Sequence, residues 1–220
     1  MRNTHNIAPR VLVYPFGSAP PSTQDGWIAL AQLPPAPGRA AVFGDGSHAT
    51  TRLCASAVDL LCRRRQMEAV LDVGTGTGVL ARIARARGAQ LLVGTDIDPI
   101  ALSCAKAHAD LDAHRIEIQF GCEAPDHWGA RFDLVVANIL EAPLHSLMPA
   151  LCRALVPGGI LLISGFTRPQ VPALRVLYEN AGLEFRGQSN LDEWTALTFG
   201  SSAARRTDGE QATACGHGGE

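Results

Sequence analysis

Short apolar segments alternate with helical patterns along most of the chain, and this alternation limits the possible folds more than any other feature. The strand-like segments include AVLDV (69–73), LLVGTD (91–96), FDLVVAN (132–138) and ILLISGF (160–166). Between them, apolar residues recur at helical spacing. Strands that are apolar throughout are typical of a parallel sheet covered by helices on both faces. The pattern therefore predicts an α/β fold with a mostly parallel sheet.

The remaining elements define a single domain over residues 41–200. Helices are predicted over 50–65, 79–87, 99–110, 143–155 and 170–181, with a further strand at 115–120. LEFRGQSN and EWTALTFG, at the end of the domain, read as a hairpin that adds one antiparallel strand. Residues 1–40 are Pro-rich and predicted to be loop-like, apart from a strand or hairpin at GWIALAQL. Residues 201–220 have the composition of a flexible tail.

Composition excludes several classes of protein. Hydrophobic residues make up 46% of the chain and charged residues 18%, enough for a large buried core. The net charge of −2 argues against a nucleic-acid partner, and no apolar run reaches the length of a membrane span. The six cysteines form no CxxC pair, and no metal-ligand spacing is present. A reduced, cytoplasmic protein without a metal is the expectation.

The segment VLDVGTGTGVL (70–80) joins a predicted strand to a predicted helix through a glycine-rich loop. Ligands of open α/β sheets bind at the carboxyl ends of the strands, so Gly74 and Gly76 should lie against one. The dinucleotide spacing GxGxxG is not met, because residue 79 is Val. Asp72 suits a cation or backbone amides, and Asp96, ending the next strand, suits two ribose hydroxyls. This set favours S-adenosyl-L-methionine over NAD.

Asn138 ends the fourth strand and is followed by Ile139 and Leu140, where no aromatic ring is available to stack on a planar substrate. An aliphatic amine is therefore favoured as the nucleophile. We expect the Asn138 side-chain oxygen to orient the amine in a slot built by Ile139, Leu140 and Trp194. The alternative is that Asn138 only caps the end of its strand.

The stretch FGDGSHATT (43–51) places His48 close to Asp45 and Ser47, which suggests hydrolase chemistry. No GxSxG nucleophile elbow is present, however. Thr50 and Thr51 lie at a helix start, where backbone N–H groups are free to face a ligand. The stretch is therefore interpreted as a cofactor lid, in which His48 shapes the loop.

Together, FGDGSHATTRLC, VLDVGTGTGVLA, GTDIDPIAL, DLVVANIL, LVPGGILLISGF and DEWTALTF resemble the PrmA-type ribosomal protein methyltransferases over roughly residues 36–200. The resemblance implies a Rossmann-like, seven-stranded methyltransferase fold with S-adenosyl-L-methionine as cofactor. It also implies methylation of amino groups of a large-subunit ribosomal protein. By this resemblance the cofactor-contacting positions are Thr51, Gly74, Asp96 and Asn138, and the loop that closes over the cofactor contains Gly44 and Gly46.

Two departures from the family pattern leave the substrate open. About 40 residues precede the catalytic region, too few for the family's usual N-terminal recognition domain. Asp45 replaces the threonine of the family's loop, and its carboxylate could attract a sulfonium or an ammonium group. Alternatives to a protein methyltransferase are a small-molecule methyltransferase and a non-catalytic cofactor-binding module. The number of methyl groups and the oligomeric state are not predicted.

Overall fold

A small sheet forms the start of the chain in the computed structural model, which describes residues 4–35, 41–112, 117–122, 127 and 129–202. Strand β1 (His5–Ala8) pairs antiparallel with β2 (Val11–Pro15), and β2 pairs parallel with β3 (Ile28–Gln32). The sequence predicted only the last of these, because β1 and β2 are stabilised by burial against the main body and carry no local signal of that burial. Burial of Ile7 and Val11 in the main core holds them in place.

The rest of the chain alternates strands and helices, close to the predicted bounds. The strands are β4 (Ala69–Val73), β5 (Leu91–Thr95), β6 (Ile118–Gly121), β7 (Phe132–Asn138), β8 (Leu155–Thr167), β9 (Leu183–Leu191) and β10 (Trp194–Ser201). The helices are α1 (Ala49–Arg64), α2 (Val79–Ala86), α3 (Pro99–Ala109), α4 (Glu141–Ala154) and α5 (Val171–Asn180). Helix α4 begins two residues before Pro143, because the first turn of a helix needs no N–H from that residue, and it also contains Pro149 in its interior.

The central sheet has seven strands in the order β6-β5-β4-β7-β8-β10-β9. Neighbouring strands from β6 to β8 run parallel, and β10 runs antiparallel to both β8 and β9. This confirms the predicted α/β fold, including the single antiparallel strand. The chain order reverses direction across the sheet at β4, which lies between β5 and β7. Such a switch point opens a crevice at the carboxyl ends of the strands.

Both faces of the sheet are covered. On one face, residues of β4 and β7 pack with α1, α2 and the three N-terminal strands. On the other face, they pack with α4, α5 and the final hairpin. All five residues of β4 are buried, as expected for a central parallel strand. Of the helices in the described part of the chain, none combines the length and apolarity needed to cross a bilayer.

Buried polar contacts tie the N-terminal strands to the main body. Arg82 on α2 donates to the carbonyl of Ala31 at 2.8 Å and forms a buried ion pair with Asp112. The backbone N–H of Leu33 donates to His108 Nε2 at 3.0 Å. Burial, followed by the nearby Arg82 charge, lowers the pKa of His108 and favours the neutral ring that can accept this bond. The predicted flexible tail lies outside the described residues beyond Ser202.

Candidate active site

A cavity of about 670 Å³ opens at the carboxyl ends of β4, β5 and β7. Among the described residues that line it, the charged side chains are Asp96 and Asp98, and both are acidic. The lining includes seven of the residues predicted from sequence: Gly74, Gly76, Asp96, Asn138, Ile139, Leu140 and Trp194. Thr51, Asp72, Gly44 and Gly46, which were also predicted, are not part of the lining.

The glycine loop forms the floor of the cavity through backbone hydrogen bonds to the next strand. The N–H groups of Gly74 and Thr75 both donate to the carbonyl of Thr95, at 2.8 and 2.9 Å. Gly76 has a φ of +54°, and a Cβ there would lie 2.3 Å from the carbonyl oxygen of Phe43. Only glycine therefore allows both the turn and the close approach of the neighbouring loop.

Asp96 lies at the end of β5 and faces the cavity. Its Oδ2 accepts from the N–H of Gly76, and its Oδ1 accepts from the N–H of Asp98, both at 3.0 Å. A carboxylate offers about four lone-pair positions, so each oxygen keeps one acceptor position for a ligand. The next side chain, Ile97, is 100% exposed at the cavity and presents an apolar surface beside that carboxylate.

Asp72 lies behind the glycine loop, where it is 1% exposed. Its Oδ2 accepts from the hydroxyl of Thr75 at 2.7 Å. Burial raises the pKa of the Asp72 carboxyl to about 6 despite this hydrogen bond, and the negative charge of Asp96 adds to the increase. The contacts of Asp72 therefore support the loop, and no surface of the cavity is formed by its side chain.

Residues 41–48, here called the lid loop, form the wall opposite the sheet, and Thr77 fixes the loop in place. The Thr77 N–H donates to the carbonyl of Phe43 at 2.9 Å, and its hydroxyl donates to the carbonyl of Gly44 at 2.6 Å. Sequence reasoning missed Thr77, although its position within GTGTG was the available signal. The predicted lid thus packs directly on the glycine loop.

Asp45 does not line the cavity, contrary to the expectation that its carboxylate would meet a cationic ligand. Its Oδ1 accepts from both the N–H and the hydroxyl of Ser47, at 3.0 and 2.6 Å, and so it closes a local turn. At the helix start, Thr50 lines the cavity in place of the predicted Thr51. The Thr51 hydroxyl is buried and finds no hydrogen-bond partner among the described residues.

Three rings form one side of the cavity. The His48 ring centroid lies 5.1 Å from that of Phe43 and 4.8 Å from that of Trp194. His48 Nδ1 accepts from the N–H of Thr50 and caps α1. The described hydrogen bonds of the His48 ring are to Thr50 at the start of α1, so the ring serves as a helix cap and not as the hydrogen-bonded partner of a carboxylate that hydrolase chemistry needs.

Asn138, Ile139 and Leu140 form the far end of the cavity. The side-chain Oδ1 of Asn138 is buried and has no hydrogen-bond partner among the described residues. The backbone is fixed by a hydrogen bond from the Ile139 N–H to the carbonyl of Ser164 at 3.1 Å. Leu140 is 70% exposed and stands at the rim. A free acceptor next to apolar side chains suits a polar group carried on an aliphatic chain.

Comparison with known proteins decides the family. Residues 5–202 match the family model described as Ribosomal protein L11 methyltransferase (PrmA). The chain belongs to this family. The match confirms the resemblance seen in the sequence, and it includes β1 and β2, which the sequence pattern did not predict.

Individual relatives also carry the name of this family. The chain is 38% identical to a ribosomal protein L11 methyltransferase of Hydrogenovibrio crunogenus over 157 residues, covering 71% of this chain and 52% of that protein. It is 35% identical to one from Syntrophotalea carbinolica, covering 88% of this chain and 61% of that protein. The chain thus spans roughly half to three fifths of the length of these relatives.

A solved structure supports the fold assignment. The crystal structure of a ribosomal protein L11 methylase from Lactobacillus delbrueckii subsp. bulgaricus superimposes with a TM-score of 0.78 at 25% sequence identity. The match covers 91% of this chain and 100% of the other.

Proposed function

We propose that this protein is an S-adenosyl-L-methionine-dependent N-methyltransferase that methylates amino groups of a protein. One observation carries the proposal: a single cavity joins Asp96, with acceptor positions to spare, to Asn138, whose buried side-chain oxygen has no described partner. The first suits a ribose diol and the second suits an amine. Family membership agrees with this reading of the cavity.

The nucleoside end of the cofactor would lie over β5. Asp96 would accept hydrogen bonds from the two ribose hydroxyls, and the exposed side chain of Ile97 would cover the adenine ring. Gly74 and Gly76 leave room for the rest of the molecule at the cavity floor. Since the charged lining residues are both acidic, the cavity favours a ligand that carries a positive charge.

The acceptor end would hold the substrate amine. An alkyl ammonium group has an ordinary pKa of about 10.4, and transfer into an apolar slot lowers that value and favours the neutral amine. The Asn138 oxygen would accept one N–H and turn the nitrogen lone pair toward the cofactor. When bound, the cofactor would supply a sulfonium-bound methyl group for transfer to the amine lone pair, with a neutral thioether as the leaving group and water as the acceptor of the proton. The protein would contribute mainly by positioning the reactants.

The rim favours a side chain on a protein over a small metabolite. Leu140 is 70% exposed and Phe43 is 49% exposed, so the slot opens broadly to solvent. A long side chain projecting from a protein can enter such an opening while its backbone stays outside. Because the relatives are named as L11 methyltransferases, we propose a ribosomal protein as the substrate and the cytoplasm as its location. Residues 41–200 would form the catalytic domain.

Methyl labelling tests this proposal. The protein is incubated with S-adenosyl-L-methionine carrying a radiolabelled methyl group, together with purified ribosomal protein L11 and, separately, with a protein-free metabolite extract. We expect label in the L11 band on a gel. Label only in the small-molecule fraction would favour a metabolite methyltransferase. Calorimetry that detects no binding of S-adenosylhomocysteine would contradict the cofactor assignment, and binding of NAD in its place would indicate a dehydrogenase.

A further inference from the structure

The lid loop contacts the N-terminal sheet through Gly46, a residue that does not line the cavity. Gly46 is buried at the apex of the loop, with a φ of +87°. A Cβ on Gly46 would lie 2.2 Å from Cγ2 of Ile7 and 3.3 Å from its Cβ. Ile7 lies on β1 and is 1% exposed. The branched side chain of Ile7 therefore fills the space that any other residue at position 46 would need.

We infer that Ile7 is a positioning residue that sets the lid loop against the cofactor, an inference that rests on the proposed function. The strand that carries it is anchored: β1 pairs with β2, β2 pairs with β3, and Arg82 holds the carbonyl of Ala31 in β3. The small sheet thus provides a firm support behind the lid loop.

The contact between Ile7 and Gly46 lies close in sequence to two residues that line the cavity. Phe43 lies three residues before Gly46 and His48 two residues after it, and both line the cavity. Thr77 fixes the loop at residues 43 and 44, and α1 begins at residue 49. Between these fixed points, Ile7 packs against the apex and limits its movement toward the N-terminal sheet. Loss of this contact would let Phe43 and His48 move away from the ligand.

The shape of isoleucine allows a matched test. Ile7→Val keeps the Cγ2 methyl that approaches Gly46 and removes a methyl elsewhere. Ile7→Leu keeps the volume but has no branch at Cβ. Both changes are conservative core substitutions with similar, small costs in stability, so stability does not separate them. A positioning role predicts that valine preserves ligand binding and leucine does not, whereas a purely space-filling role predicts no such order.

Two measurements are made on the full chain of the wild type and both variants: the Kd for S-adenosylhomocysteine and hydrogen exchange of the amides of residues 43–48. We expect Ile7→Leu to raise the Kd about 3- to 10-fold and to speed exchange in the lid loop, and Ile7→Val to match the wild type. Melting temperatures record the stability of each variant.

Equal Kd values and equal exchange in the two variants would overturn the inference, as would a Kd that simply follows the melting temperature. Hydrogen exchange needs no ligand, so it separates this inference from the proposed function. If the wild type fails to bind S-adenosylhomocysteine, the proposed function is wrong. The exchange of the lid loop then still decides whether Ile7 positions it.

Discussion

The two walls of the cavity are built in different ways. The glycine loop and Asp96 are joined by hydrogen bonds between residues about 20 apart, such as the bond from the Gly76 N–H to Asp96. The lid loop is held by distant partners: Ile7, Thr77 and, through the His48 ring, Trp194. The first wall is formed by one strand–loop–helix unit and the strand that follows it. The second wall forms only when segments that are far apart in the sequence come together.

This difference in construction predicts different roles for the two walls. The wall around Asp96 has its donors and acceptors in place within the central sheet, so it would supply the main contacts to a nucleoside, and the lid loop would add contacts from the other side. The wall formed by the lid loop and Asn138 adjoins the opening where the second substrate enters. Substitutions in the first wall or in the supports of the lid loop should therefore act on cofactor affinity, and substitutions at Asn138 and Trp194 should act on transfer to the amine.

The largest effect is expected where the two walls touch. In Gly76→Ala the new Cβ would lie 2.3 Å from the Phe43 carbonyl oxygen, and the loop must shift to relieve the overlap. We expect loss of measurable S-adenosylhomocysteine binding and a decrease in the free energy of unfolding of about 2–4 kcal/mol. Calorimetry and urea denaturation measure the two quantities.

Gly158→Ala is the matched control for that variant. Gly158 also has a positive φ, +76°, but nothing lies within 4 Å of its added Cβ. Gly158→Ala should lower the free energy of unfolding only by the backbone strain, about 1–2 kcal/mol, and should bind S-adenosylhomocysteine like the wild type. If Gly76→Ala behaves like Gly158→Ala, the contact between the two walls has no role in binding.

Asp96→Ala tests the first wall alone. The variant loses the acceptor for the ribose and leaves the Gly76 N–H without its carboxylate. Hydrogen bonds to a charged group contribute about 1.5–3 kcal/mol each, so the Kd for S-adenosylhomocysteine should rise about 100-fold or more. Asp25→Ala, at an exposed carboxylate outside the cavity, should bind like the wild type. Wild-type affinity in Asp96→Ala would rule out the ribose assignment.

Asp72 gives a prediction with a pH dependence. Its folded-state pKa of about 6 lies above the ordinary value of 3.8, so the ionised carboxyl destabilises the folded protein at neutral pH. Asp72→Asn keeps an acceptor for Thr75 and should stabilise the protein by about 1–3 kcal/mol at pH 8. Urea denaturation should show this gain shrinking as the pH falls from 6 toward 4. A gain that does not change with pH would show that the charge is not its cause.

Trp194→Leu should have the smallest effect, and it acts on the second wall. The substitution removes the ring that packs edge-on against His48, a contact contributing about 0.5–1.5 kcal/mol beyond its buried area. We expect the KM for the protein substrate to rise about 3- to 10-fold while the Kd for S-adenosylhomocysteine stays within about twofold. Trp27→Leu, outside the cavity lining, is the control. A change in cofactor affinity alone would assign Trp194 to the first wall.

The same contrast explains what the sequence could predict. Apolar strands, the GTGTG loop and Asp96 carry local signals, and their placement in one cavity followed from the rule for parallel sheets. The strands β1 and β2 were missed because their stability comes from burial against α1 and α2, which no local period records. Thr77 was missed because its partner is the backbone of a loop 33 residues away.

The roles predicted for Asp45 and Thr51 came from their positions in a sequence motif, and neither side chain lines the cavity. Asp45 departs from the family's loop, which suggested a role at the cavity, yet its carboxylate closes a turn with Ser47. Thr51 matches a motif position, but it is the preceding Thr50 that lines the cavity. Both threonines are buried, and the turn at the start of the helix decides which of the two side chains faces the cavity, so a contact of Thr51 with the cofactor stays a prediction.

We propose that Asn138 acts on the amine at the second wall while Asp96 binds the cofactor at the first. The most direct test is Asn138→Ala, with methyl transfer to ribosomal protein L11 and the Kd for S-adenosylhomocysteine measured on the same preparation. We expect kcat to fall about 10- to 100-fold, because a positioning contact is lost, with the Kd within about threefold of the wild type. An unchanged kcat, or a loss explained entirely by weaker cofactor binding, would contradict this division of roles.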